Sequence, residues 1–275
     1  MESSGSVRGA GGEIHYEYLG RRERPPVVFF NALNQTVRSW HQYIGPIAEQ
    51  ADVLLWDYPG VGASPAWART PTFEQLADGL HEITRALGLH GGPVRLLGIC
   101  FGAGPALEFL RRYREQVDKV VLSGAMLTWE EAYASQRMID RRLLAEGRVG
   151  EAAELFFAHF FSSGFQQAVG ADPEHRAALI RKIAASANQM TDRLIGAQLD
   201  HLKEMERHHE ELAKLDVPVK LIAGEQDLVT PPYVQRKILG LLPNASYVEY
   251  PGAGHLLYVE EGLRFFTDAL EFLSS

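Results

Sequence analysis

Short apolar runs alternate along the chain with stretches in which apolar residues recur at helical spacing. The runs fall at about 13–19, 27–33, 53–58, 94–100, 119–123, 219–223 and 246–250. Several are apolar without interruption, as in strands covered on both faces. Between them, segments at about 36–49, 73–87 and 103–114 carry the one-sided stripe of an amphipathic helix. The alternation predicts an α/β fold built on a doubly wound, mostly parallel sheet. In such sheets reactive groups sit on loops beyond the carboxyl ends of the strands.

The pattern breaks between 127 and 213, where no convincing strand occurs and four or so helices are expected. This divides the chain into a core of 13–126 and 214–275 and a helical insertion of 127–213, placed where a lid over the sheet edge belongs. Within it Leu155, Phe156, Phe157, Phe160, Phe161 and Phe165 surround His159. Such a patch is either the inner face of a packed helix or the wall of an acyl pocket, in which Phe156 and Phe160 would touch substrate. Residues 1–12 are small and polar and are expected to form a flexible leader rather than a signal peptide.

The length of 275 residues suits one α/β domain with an insertion. Twenty-seven basic against thirty-five acidic residues leave a net charge of −8, which argues against nucleic acid or an anionic membrane as partner. No apolar run approaches the length of a membrane span. The single cysteine allows no internal disulfide and suits a reducing, cytoplasmic setting.

That cysteine, Cys100, lies in Gly98-Ile99-Cys100-Phe101-Gly102-Ala103-Gly104, where an apolar run meets a helical one. A buried core thiol is the ordinary fate of a free cysteine. Here, though, glycines flank it at the places where side chains would clash in a sharp strand-to-helix turn. A thiol nucleophile needs a base and a group that orients the base. Asp227 follows the run at 219–223, with Glu225 a competing acid, and His255 follows the run at 246–250 in Pro251-Gly252-Ala253-Gly254-His255. The adjacent His208 and His209, followed by Glu210 and Glu211, point to different helix faces and read as a solvated surface, so no metal or cofactor is expected. Oxyanion donors are expected from the backbone N–H groups of Phe101 and of Leu33, in the loop Asn31-Ala32-Leu33-Asn34. Asn34 either binds substrate or closes the turn.

The order Cys100, Asp227, His255 resembles the nucleophile-acid-base order of α/β-hydrolases. Asp57-Tyr58-Pro59-Gly60-Val61-Gly62-Ala63-Ser64 resembles that family's D-x-x-G-x-G-x-S turn, and Trp40 falls where members carry an aromatic after the oxyanion loop. The resemblance covers about 13–273 and implies an α/β-hydrolase fold, with Trp40 and Ser64 in structural roles. Cysteine-bearing members that the chain resembles include polyhydroxyalkanoate synthases, aminoacyl shuttles and dienelactone hydrolase. The size and insertion are also similar to a serine-bearing synthase that joins hydroxyacyl units.

A thiolate expels an alkoxide poorly but exchanges readily with another thiolate. The substitution therefore favours a thioester donor, such as an acyl-CoA or an acyl or peptidyl carrier protein, and an acyl-transfer enzyme passing its group through a Cys100 thioester. The alternatives are a thioesterase or an ester or lactone hydrolase with the same three residues, and a hydrolase-fold ligand receptor.

Overall fold

The computed structural model describes residues 2–187 and 189–275. The strands are β1 (Glu2–Gly9), β2 (Gly12–Leu19), β3 (Val27–Phe30), β4 (Val53–Trp56), β5 (Val94–Ile99), β6 (Val117–Ser123), β7 (Val219–Gly224) and β8 (Ala245–Tyr250). They form one sheet in the order β1-β2-β4-β3-β5-β6-β7-β8. The pairs β1/β2 and β2/β4 are antiparallel, and every later pair is parallel. Among the core helices, α1 (Val37–Ala48), α2 (Phe73–Ala86) and α3 (Ala103–Arg112) follow β3, β4 and β5. Between β6 and β7 come α4 (Glu131–Ala145), α5 (Val149–Phe160), α6 (Ser163–Gly170), α7 (Pro173–Ser186), α8 (Gln189–Met205) and α9 (His209–Leu212). The chain ends with α10 (Pro232–Leu241), α11 (Leu257–Glu260) and α12 (Gly262–Ser274). No helix among the described residues is long and apolar enough to cross a membrane.

The apolar runs are uninterrupted because neighbouring residues serve opposite faces of the sheet. Val28, Phe30, Leu96, Val120 and Leu221 pack with Leu76, Leu80, Leu107 and Ile238 from α2, α3 and α10. Val27, Phe29, Leu97, Val121 and Ile222 pack with Trp40, Ile44, Phe265 and Leu273 from α1 and α12. The second cluster continues into the insertion through Tyr133, Phe157, Phe160, Ile195 and Leu199. The helices between β6 and β7 are thus joined to the core by continuous packing.

The flexible leader expected for residues 1–12 is corrected by the structure from residue 2 onward, Met1 lying outside the described residues. Residues 2–9 pair antiparallel with β2, from Glu2 opposite Leu19 to Gly9 opposite Gly12. Strand pairing depends on backbone groups, so a run of Ser and Gly forms an edge strand when a neighbour presents a free edge. Gly11 also lets the indole of Trp67 lie against the hairpin turn, because a Cβ there would sit 2.3 Å from the ring. The expected run at 27–33 is also shortened: β3 ends at Phe30, and the chain leaves the sheet at Asn31.

Gly102 makes one of the tightest backbone approaches in the core, since a Cβ on it would lie 2.1 Å from the carbonyl oxygen of Phe30. A backbone atom cannot move aside as a flexible side chain does, so this contact sets the distance between the start of α3 and the end of β3. Gly102→Ala is expected to destabilise the fold by about 3 kcal/mol. Gly91→Ala, where nothing lies within 4 Å, is expected to be close to neutral. Urea unfolding of the two variants beside the parent chain measures the difference.

Candidate active site

Cys100 stands at the junction of β5 and α3 with φ of 53°, a left-handed conformation rare for a residue with a side chain. The conformation turns the thiol out of the sheet and into a cavity of about 370 Å3. The sulfur is enclosed by protein, yet part of its surface is reached through that cavity, so the residue is half-buried. The N–H of Phe101 also approaches the sulfur.

His255 lies in the loop after β8 and is 3% exposed. Its Nδ1 is 2.8 Å from Oδ2 of Asp227, in the loop after β7. The remaining acceptor capacity of Asp227 is filled locally: Oδ1 accepts from the N–H groups of Val229 and Thr230, each at 2.8 Å. The Thr230 hydroxyl donates to Oδ2 at 2.8 Å. Glu225, the competing acid, instead accepts from the N–H of Gly252 at 2.7 Å and closes a turn. His255 Nε2 has no hydrogen-bond partner among the described residues. The Cys100 thiol lies close enough to the imidazole for each group to favour the other's charged form. Such contacts tighten when substrate binds.

Burial alone raises a thiol, but the imidazole of His255, then the guanidinium of Arg137 and the N–H of Phe101, outweigh it and hold Cys100 below the ordinary thiol value. Burial likewise pushes His255 down, and the carboxylate of Asp227 together with Cys100 reverses this, so the imidazole is held well up. Burial pushes Asp227 up, and His255 with the Thr230 groups brings it below the ordinary carboxyl range. All three net directions favour a thiolate beside an imidazolium.

The loop after β3 is locked from several sides. The Asn31 side chain donates to the Trp56 carbonyl at 2.6 Å and accepts from the Trp40 indole at 2.7 Å, while Tyr58 donates to the Asn31 carbonyl at 3.0 Å. Trp40 therefore has the structural role expected of it. So does Ser64, which donates to the Asp57 carbonyl at 2.7 Å and accepts from the N–H of His15 at 2.8 Å. Leu33 follows this anchored segment and lines the cavity beside Phe101 and Cys100. Asn34 also lines it, with φ of 66°, and its side-chain Oδ1 accepts from the Thr191 hydroxyl of α8 at 2.6 Å.

The other wall belongs to the insertion. Phe156 and Phe160 line the cavity, stacked with ring centroids 3.9 Å apart, and Phe160 meets the His255 ring edge-on at 5.0 Å. His159, between them in sequence, bonds through Nδ1 to the Leu155 carbonyl at 2.9 Å. The Phe160 carbonyl accepts from the N–H of His255 at 2.9 Å, and the Gln226 side chain accepts from the N–H of Ser163 at 2.9 Å. The end of α5 is thus fastened to the loop that carries His255, and the start of α6 to the loop that carries Asp227.

Sequence reasoning missed Arg137, Asp140, Tyr133, Gln198 and Tyr258, which all line the cavity. Arg137 and Asp140 pair at 2.5 Å inside it, with the guanidinium 4.9 Å from the Phe160 ring centroid. Their spacing of three along a helix was a legible signal for an ion pair, but not for a buried one. Thr230 was missed too, although an aspartate three residues before a threonine is a common local hydrogen-bonding pattern.

The lowered thiol has a direct consequence. A group whose folded-state pKa is depressed stays ionised to lower pH, so alkylation of Cys100 by iodoacetamide at pH 6–7 is expected to outpace that of free cysteine. Its pH profile is expected to lie below the ordinary thiol range near 8.5 and to move up in His255→Ala. A rate equal to that of free cysteine and unchanged in the variant would contradict the coupling. Mass spectrometry of timed samples gives the rates.

Residues 25–262 match the family described as alpha/beta hydrolase fold. A protein of Mycobacterium tuberculosis named as a non-heme bromoperoxidase, BpoC, is 26% identical over 287 residues, covering 95% of this chain and 98% of its own. The 3-oxoadipate enol-lactonase 2 of Acinetobacter baylyi is 24% identical over 217 residues, 79% of this chain and 77% of its own. Among solved structures, the alpha/beta hydrolase MGS-M2 from a deep-sea metagenome library superposes with a TM-score of 0.87 at 21% identity, covering 98% of each chain. The family match spans β3 to β8, the Cys100 turn and the Asp227 and His255 loops. The chain belongs to the alpha/beta hydrolase fold family and is a hydrolase-type enzyme.

Proposed function

We propose that the protein hydrolyses an ester, lactone or thioester through a covalent Cys100 acyl thioester. The observation that carries this reading is the free Nε2 of buried His255 beside the only thiol in the chain, with Nδ1 held by Asp227 at 2.8 Å. With the Cys100 proton carried on Nε2, Sγ attacks the substrate carbonyl carbon. The N–H groups of Phe101 and Leu33 receive the developing oxyanion. His255 returns the proton to the departing oxygen or sulfur, which leaves an acyl thioester on Cys100. Water then enters, gives a proton to Nε2 and attacks the same carbon. Collapse releases the acid, and the proton goes back to the thiolate. The helices from α4 to α8 act as the cover, and Phe156 and Phe160 bound the acyl chain. The enzymatic names among the relatives, the enol-lactonase included, favour water as acceptor.

Acyl transfer is the second reading, and the thiol itself favours it. Sulfur in place of oxygen makes exchange with a small-molecule or carrier-bound thioester nearly neutral in energy, whereas attack on an alkyl ester tends to reverse. In this reading an alcohol, amine or thiol takes the place of water in the second half.

Incubation with a panel of p-nitrophenyl esters, small lactones and acyl-CoA thioesters separates the readings, with free acid and intact protein mass followed together. Acid release at a steady rate without added acceptor is expected, and an adduct that persists until an acceptor arrives would instead establish transfer. Cys100→Ala is expected to lower kcat/KM by about 1000-fold or more, and His255→Ala to a similar extent. Full turnover in Cys100→Ala, or no turnover and no adduct with any of the three substrate classes, would remove the proposed role of the thiol.

A further inference from the structure

A second group of ionisable side chains lies where α8 packs across α2 and α3. Glu74 on α2, Glu108 on α3 and His201 on α8 place one carboxylate oxygen each and one imidazole nitrogen within 4.8 Å of one another. None of the three lines the Cys100 cavity. Glu108 is fully buried and His201 is 9% exposed. Glu108 Oε1 and His201 Nε2 have no hydrogen-bond partner among the described residues. His201 Nδ1 is 4.0 Å from Glu108 Oε1, beyond hydrogen-bond range. The other oxygen of Glu108 is held by Arg111, through Nε at 3.2 Å and Nη2 at 2.9 Å, and Nη1 of Arg111 reaches Glu211 at 2.8 Å.

The cluster is short of positive charge. Three carboxylates, of Glu74, Glu108 and Glu211, lie around the single guanidinium of Arg111. His208, 3.7 Å from Glu211, adds a charge only when protonated. Buried acceptors without donors cost free energy until something positive or protic joins them.

We propose that Glu74, Glu108 and His201 bind a divalent transition cation of the Zn2+ type, which ties α8 to α2 and α3. The donor set selects this class: an imidazole with two carboxylates suits zinc and its neighbours, whereas Mg2+ and Ca2+ prefer oxygen alone. Four-coordinate zinc at about 2.0–2.1 Å sets its donors about 3.3 Å apart, so side-chain shifts of about an ångström close the site, with water as fourth ligand. Arg111 on the far oxygen of Glu108 is the kind of outer partner that orients a ligating carboxylate. The site revises the expectation of no metal, and it uses neither member of the His208-His209 pair as a ligand.

The test uses untagged full-length protein carrying Cys100→Ala, which removes the thiol as a rival ligand. After dialysis against EDTA, zinc uptake is measured by competition with a chromophoric chelator and by elemental analysis, and unfolding is followed with Zn2+ or Mg2+. One zinc per chain and a Tm raised by about 5 °C at saturating zinc are expected, with no rise in Mg2+. Glu74→Gln and His201→Gln are expected to weaken uptake at least about 10-fold. The half-buried Glu74 makes the first variant the safer for folding, and circular dichroism checks it. No zinc above a buffer blank, or stoichiometric zinc unchanged in a folded Glu74→Gln variant, would overturn the site.

Discussion

The left-handed backbone of Cys100 is the constraint from which the candidate site follows. A side chain at φ of 53° costs of order 1–3 kcal/mol in isolation, and the surrounding packing sustains it. Gly102 lets the start of α3 touch the Phe30 carbonyl, and β5 lies parallel to both β3 and β6 in the middle of the sheet. One turn thereby sets three things: the thiol enters the cavity, the N–H of Phe101 approaches the sulfur, and the loop carrying Leu33 is brought alongside. Relaxing the turn to an ordinary helix or strand conformation would withdraw all three.

The charges around that turn form one coupled system. Asp227 spends its oxygens on Thr230, Val229 and His255 and so keeps its own charge despite burial. That charge holds the His255 proton, and the imidazole in turn favours the thiolate. The insertion takes part at close range: the Phe160 carbonyl receives the N–H of His255, its ring lies against the imidazole, and Arg137 adds positive charge near the sulfur. The helices between β6 and β7 therefore support the reactive loops as well as wall the cavity. Lifting the end of α5 would break the bonds that place His255.

Much of the core was legible because it follows rules of short range. Uninterrupted apolar runs marked the central strands, and the glycines around Cys100 marked a sharp turn. The order of Cys100, Asp227 and His255 along the chain matched their meeting at one edge of the sheet. Residues 2–9 escaped the same reasoning, because an edge strand of Ser and Gly is held by backbone pairing and leaves no apolar signature. Arg137 and Asp140 read as an ordinary helical surface pair, since nothing local reveals that a cavity closes over them.

The sequence by itself determined the α/β architecture, the thiol at the strand-to-helix turn and the later loops that carry carboxylates and a histidine, since each rests on the conformational preferences of neighbouring residues. Only the tertiary structure decided that Asp227 rather than Glu225 meets His255. It likewise decided that the insertion grips the His255 loop, and that Glu74, Glu108 and His201 converge on one another. Those outcomes depend on distances between residues far apart in the chain, which are set by how helices pack across the sheet and leave no periodic trace in the order of amino acids.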